Sequence, residues 1–315
     1  MDKVLLLFLA FASVATNAAW AASVSTLSQG IRHDSLFDLC VGEDRSIAVG
    51  DAGVVLESDD GGASWQRMES FTQSALLGVS CDAGSQFIVG QEGIIFRRDN
   101  DQFHQLDSGS DQRLLAIASD SEGLVFAVGG FGAVLRSADN GDTWEPLSFD
   151  WETILDDFVE PHIYEVDIAE DGTIVLTGEF SLILRSTDRG DTWEVVNRGD
   201  ESLFGMHLDD QQGFAVGQNG LVLATSNGGA TWSKIEVPSG ANLLDVRSFG
   251  DGNVLITGIR EMLSSNDYGK SWRRLDIGDF SVGWYQSIGA LQKSATSGNT
   301  AILVGHSGRI VKLEI

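Results

Sequence analysis

Residues 58–65 read Ser58-Asp59-Asp60-Gly61-Gly62-Ala63-Ser64-Trp65. The pattern returns as Ser137-Ala138-Asp139-Asn140-Gly141-Asp142-Thr143-Trp144 and as Ser186-Thr187-Asp188-Arg189-Gly190-Asp191-Thr192-Trp193. Thr225-Ser226-Asn227-Gly228-Gly229-Ala230-Thr231-Trp232 and Ser265-Asn266-Asp267-Tyr268-Gly269-Lys270-Ser271-Trp272 complete the set. The tryptophans stand about 40 residues apart, or a multiple of that with one insertion, which is the period of a repeat architecture. Asp and Ser side chains at these places bond to nearby backbone N–H groups and hold a tight hairpin. Glycine supplies a left-handed conformation. Trp65, Trp144, Trp193, Trp232 and Trp272 then cover apolar area on an outer strand. Asp60, Asp139, Asp188, Asn227 and Asp267 are therefore read as structural. A calcium loop is excluded, because no glutamate recurs at the bidentate position.

A second marker precedes each motif. It reads Val49-Gly50-Asp51-Ala52-Gly53, Val89-Gly90-Gln91-Glu92-Gly93 and Val128-Gly129-Gly130-Phe131-Gly132. It continues as Thr177-Gly178-Glu179-Phe180-Ser181, Val216-Gly217-Gln218-Asn219-Gly220, Thr257-Gly258-Ile259-Arg260-Glu261 and Val304-Gly305-His306-Ser307-Gly308. Seven markers predict seven units, although units two and seven lack the tryptophan motif; Phe103 takes its place in unit two. Within each unit, four short apolar runs are separated by Gly/Asp/Asn turns, the signature of a propeller blade. The expectation is an all-β, seven-bladed β-propeller over residues 22–315. The last unit offers three strands, and Val24–Leu27 is expected to supply its fourth and close the ring.

Residues 1–21 read as an export signal: Met1-Asp2-Lys3, an apolar run Val4 to Val14, then Ala19-Trp20-Ala21 before the cleavage point. The chain is accordingly expected in the periplasm or secreted, as a monomer. Two cysteines, Cys40 and Cys81, sit at nearly equivalent places in units one and two and are a candidate disulfide pair in an oxidising compartment. The net charge of −26 repels phosphate backbones and anionic headgroups, which argues against nucleic-acid binding.

The tryptophan motif is the Asp-box, or BNR repeat, found in sialidases, some glucanases and sortilin-type receptors. At this repeat length, the full pattern of both markers most resembles the photosystem II assembly and stability factor family, over nearly all of residues 22–315. The resemblance implies a non-enzymatic assembly chaperone that binds membrane subunits through an arginine-rich patch. It also covers relatives in bacteria without photosynthesis, encoded near envelope exporters, and this chain is read as such a bacterial homologue. The sequence departs from that pattern in charge. Basic residues number 20, and no arginine cluster is visible; Arg136 and Arg185 precede the Asp-box in units three and four, where Glu57, Ala224 and Ser264 stand elsewhere.

Partner contacts are expected on the face formed by the second-to-third strand turns and the blade-to-blade connections. Those turns present Asp51, Glu92, Phe131, Glu179, Phe180, Asn219, Arg260 and His306. The long connection 149–161 adds Trp151, Glu152, Asp156, Asp157 and Phe158, and such insertions often carry function. Phe131 and Phe180 serve there either as contacts or as plugs of the channel mouth. The favoured reading is an accessory or assembly factor for an envelope or membrane protein complex, with an exporter among the candidates. The alternative is a carbohydrate-active propeller using Glu92 and Glu179 as a carboxylate pair. A sialidase is disfavoured, because Ile31-Arg32-His33 lacks the following proline of an Arg-Ile-Pro motif. The five histidines show no metal-ligand spacing, so no metal and no cofactor is expected.

Overall fold

The computed structural model describes residues 22–42, 45–81, 85–209, 211–291 and 299–315. The expected export signal over 1–21 lies outside them. The described residues form seven four-stranded antiparallel sheets, the seven blades expected from the markers. In blade one, β2 (Leu36–Val41) is innermost, followed outward by β3 (Ser46–Gly50), β4 (Val55–Ser58) and β5 (Gln66–Arg67). Blade seven is closed by both ends of the chain: β1 (Ser23–Ser28) pairs antiparallel with β28 (Ile310–Glu314). Its missing Asp-box follows, since no hairpin joins those two strands. Blade two replaces its Asp-box with a two-residue hairpin. Asn100 and Asp101 both take positive φ (50° and 65°), the backbone of a tight turn between β8 (Ile95–Asp99) and β9 (Gln102–Leu106).

The core is seven sheet-to-sheet contacts, not one central mass. Each cluster joins two neighbouring blades, as where Phe126 and Val128 of blade three meet Ile174 and Leu184 of blade four. Trp193 of blade four packs into that cluster, and Trp144, Trp232, Trp272 and Trp65 do the same at four other contacts. Phe103 fills the equivalent place between blades one and two, stacked 5.3 Å from Phe71.

The Asp-box is a local clamp, as its residue types imply. In the first copy Asp60 accepts from the Ser64 amide (2.8 Å), the Ser64 hydroxyl (2.6 Å) and the Ser58 hydroxyl (2.8 Å). The Ser64 hydroxyl leads the bonds that hold the Asp60 carboxyl down to about 2. Asp139 and Asp188 repeat the geometry with Thr143 and Thr192. Trp65 Nε1 closes the turn on the Gly62 carbonyl at 3.0 Å. The glycine has a second role: at Gly190 (φ +87°) a Cβ would stand 2.5 Å from Cζ of Phe126 on the preceding blade.

Candidate functional site

The second-to-third strand turns and the blade connections lie on one face, and the Asp-box hairpins on the other. The tip of each of those seven turns carries a non-glycine residue in left-handed backbone, Ala52, Glu92, Phe131, Phe180, Asn219, Arg260 and Ser307, with Ser181 following Phe180 in the same region. Asn adopts this region readily, but a phenylalanine there costs about 1 kcal/mol. Phe131 (φ 53°) and Phe180 (φ 61°), on neighbouring blades, carry that cost and still project outward, 62% and 37% exposed. Neither plugs the channel. Asp51 is exposed and accepts from the Ala52 amide (2.9 Å); Glu92 and Arg260 are exposed.

Residues 149–161 form the connection from blade three to blade four on this same face. Asp150 caps the one-turn helix α1 (Trp151–Leu155), accepting from the Thr153 amide at 3.1 Å, and Asp156 ends it in left-handed backbone. Trp151 was expected to meet a partner, and the structure corrects this: it is 9% exposed and stacks 4.8 Å from Phe149. Its ring lies over Gly132, where a Cβ would stand 2.2 Å from the indole nitrogen. Trp151 is the anchor of the loop. Glu152, Asp156 and Asp157 remain exposed, and Phe158 is 84% exposed. Arg198 of the next connection ties the loop down through the Ile154 carbonyl.

His306 is likewise not available as a free contact. Its side chain is 21% exposed and lies 2.9 Å from Asp279, which also accepts from Tyr285 (2.7 Å) and from Arg309. This half-buried knot fixes the blade six to seven connection to the turn of blade seven. Glu179 also braces its surroundings, accepting from the His162 amide at 2.9 Å and from Tyr164 Oη at 3.5 Å. Glu92 and Glu179 belong to blades two and four, with blade three between them.

The channel mouth holds a feature that sequence reading missed. Every innermost strand carries a β-bulge one residue after its first ladder partner. A bulge re-aims its extra side chain. Here it turns Phe37, Leu77, Leu115, Tyr164, Phe204, Leu244 and Gln286 into one half-buried ring at the mouth. The signal was present as paired large residues, such as Leu76-Leu77 and Leu243-Leu244, that break strand alternation.

Beyond this ring the channel widens to a cavity of about 990 Å³ that reaches the opposite face beside Ser121, Glu122 and Gly172. Asp38, Glu165, Asp245, Asp167, His207 and Arg247 line it. The carboxylates bind backbone N–H groups of the next blade: Asp38 accepts from Val79 (2.8 Å), Asp167 from Leu208 (2.9 Å) and Asp245 from Ile288 (2.7 Å). Asp38 also accepts from Ser287 Oγ of blade seven at 2.8 Å. Burial pushes Asp38 up to about 6 and Asp245 up to about 7, and raises Glu165 well above the usual range. Burial drives His207 well below the ordinary histidine value. Among the described residues, no group of three or more His, Cys, Asp and Glu side chains is placed to hold a metal ion. Cys40 and Cys81 form a disulfide between blades one and two at the cavity wall, with Cα atoms 5.9 Å apart.

Three arginines that precede the hairpins are taken up by contacts between blades. Arg97, Arg136 and Arg185 stand at one equivalent position in blades two, three and four. Each crosses to the next blade and donates to an Asp-box or equivalent hairpin carbonyl: Asn140 (2.6 Å), Arg189 (3.0 Å) and Gly228 (2.8 Å). Arg97 and Arg136 add ion pairs to Asp142 and Asp191, both at 2.7 Å. Their guanidinium groups serve blade contacts.

Comparison with known proteins agrees with this architecture. Residues 199–312 match the family model described as Photosynthesis system II assembly factor YCF48. No curated protein sequence matches the chain. Among solved structures, YCF48 bound to D1 peptide superposes with a TM-score of 0.71 at 17% identity, covering 93% of this chain and 95% of that one. YCF48 from Cyanidioschyzon merolae gives 0.72 at 18% identity, covering 92% and 98%. The U3-55K structure gives 0.70 at 11% identity, covering 93% and 98%. Scores so close across such different proteins show the fold alone. The chain is thus an Asp-box β-propeller that resembles the photosystem II assembly factor family.

Proposed function

We propose that this propeller is an exported, non-enzymatic accessory factor that holds a segment of a membrane or envelope protein during its assembly. One observation carries the reading. Among the described residues eight large apolar side chains are exposed, and six of them lie on the face of the turns and blade connections. Phe131, Phe158 and Phe180 stand at blades three and four, and Ile31, Ile259 and Val282 around blades six, seven and one. The half-buried mouth ring lies between them. Apolar side chains gathered on one face of an otherwise acidic surface mark a contact for another protein. The match of residues 199–312 to an assembly-factor model, and the D1 peptide named with one structural neighbour, support a protein segment as the occupant. The Cys40–Cys81 disulfide supports an oxidising compartment.

The test is a pull-down from detergent-solubilised membranes, using the full chain and a variant with residues 150–160 replaced by a Gly/Ser linker. One membrane complex should co-purify with the wild type and be lost with the variant. A complex retained equally by both would place the contact elsewhere; none with either would count against the binding reading.

A further inference from the structure

We propose that the aromatic run Phe131–His162–Tyr164–Phe204 seats an extended partner segment of about five residues, in which apolar side chains are interspersed with lysine or arginine. The inference rests on the reading of this face as the partner face and gives that partner its chemistry. The run starts at the exposed tip of the blade-three turn and ends in the mouth ring at blade five. Successive ring centroids are 5.1, 6.2 and 5.3 Å apart, together about the reach of five extended residues at ~3.3 Å each. All four rings are exposed or half-buried, so one side of the run is free to receive apolar groups. Aromatic side chains at such positions dominate the energetics of protein contacts.

Glu179 supplies the second half of the chemistry. It stands beside the middle of the run, 3.6 Å from His162 Nδ1, with a third of its side chain exposed. A carboxylate offers about four acceptor sites, and Glu179 uses two of them, on the His162 amide and Tyr164 Oη. With a third of the side chain exposed, the remaining acceptor sites are open to an incoming ammonium or guanidinium. Glu152, Asp156 and Asp157 add exposed negative charge at the outer end of the run. The exposed Arg113 on the blade two to three connection is outnumbered there by these acids. Phe131 holds its place at the cost of left-handed backbone, where five other blades carry Ala, Glu, Asn, Arg or Ser.

The test uses the full disulfide-bonded chain and three fluorescein-labelled nonapeptides: alternating leucine–lysine, leucine–glutamate and serine–lysine. Fluorescence anisotropy should show binding of the leucine–lysine peptide, with the other two at least five-fold weaker. Glu179→Gln and Phe131→Gly should each weaken it at least five-fold. Phe131→Gly should leave the melting temperature unchanged or raised, since glycine adopts φ 53° without strain, so its effect on binding is not unfolding. Equal binding of leucine–lysine and serine–lysine, or unchanged affinity in both variants, overturns the aromatic run as the seat. The pull-down above separates the levels: success there with no peptide binding here refutes only this inference, whereas failure of both refutes the partner face as well.

Discussion

Replacing Asp245 by asparagine should flatten the pH dependence of stability. The carboxyl of Asp245 is raised from 3.8 to about 7, chiefly by burial in the channel. The folded protein therefore binds this proton more tightly than the unfolded chain does. Its contribution is fully present below about pH 4 and is lost as pH rises through 7. A shift of about three units corresponds to roughly 4 kcal/mol once the group is ionised, and water in the channel reduces that toward ~2 kcal/mol. Asp38, raised to about 6, adds a contribution of the same sign. His207 acts oppositely: held neutral by burial, it stabilises the fold above the ordinary histidine value and loses this as pH falls. Comparing slopes of wild type and Asp245→Asn cancels the histidine. Asparagine keeps one acceptor of the two that receive the Ile288 and Val246 amides, so it also costs about 1–3 kcal/mol, independent of pH. The assay is urea unfolding followed by tryptophan fluorescence at pH 5, 6, 7 and 8. Because part of the contribution is already lost by pH 5, wild type should lose ~1–2.5 kcal/mol more than Asp245→Asn between pH 5 and 8. Parallel curves for the two proteins would refute the assignment of a buried, proton-holding carboxyl to the channel.

Gly190→Ala forces a side chain into left-handed backbone and against Phe126, and should lower stability by about 2–3 kcal/mol, read as a fall in melting temperature. Reducing the Cys40–Cys81 bridge, which spans 41 residues, should remove about 3–4 kcal/mol, measured by urea unfolding with and without dithiothreitol. Trp151→Ala should cost about 3 kcal/mol, whereas Phe158→Ala should stay within about 0.5 kcal/mol, because one side chain is buried beneath the loop and the other stands in solvent.

The propeller was legible because its repeat is written in residues that turns demand. Each Val-Gly marker ends a second strand, each Asp-box ends a third, and the orphan strand Val24–Leu27 had one unpaired edge to fill. The long connection was legible as an insertion, but the direction of its side chains was not. Trp151 is inside because Gly132 leaves room beneath it, a contact between residues that no periodicity links. His306 is occupied because the distant Asp279 reaches it, a carboxylate that Arg309 also pairs with. The channel acids were invisible for a different reason. Asp38, Glu165 and Asp245 read as the polar side of half-buried strands, and only closure of the ring turns that side toward a shared cavity. The arginines of blades two to four look like surface charge until the blades are stacked and each reaches its neighbour's hairpin.

The central claim, that partners bind the face of the turns and blade connections, is tested most directly by site-specific photo-crosslinking in intact cells. A benzoylphenylalanine replaces Phe158 on that face in one variant and Tyr268, 54% exposed in an Asp-box hairpin on the opposite face, in another. The account predicts a discrete high-mass adduct from position 158 and none from position 268. An adduct from 268 alone, or none from either, would contradict it.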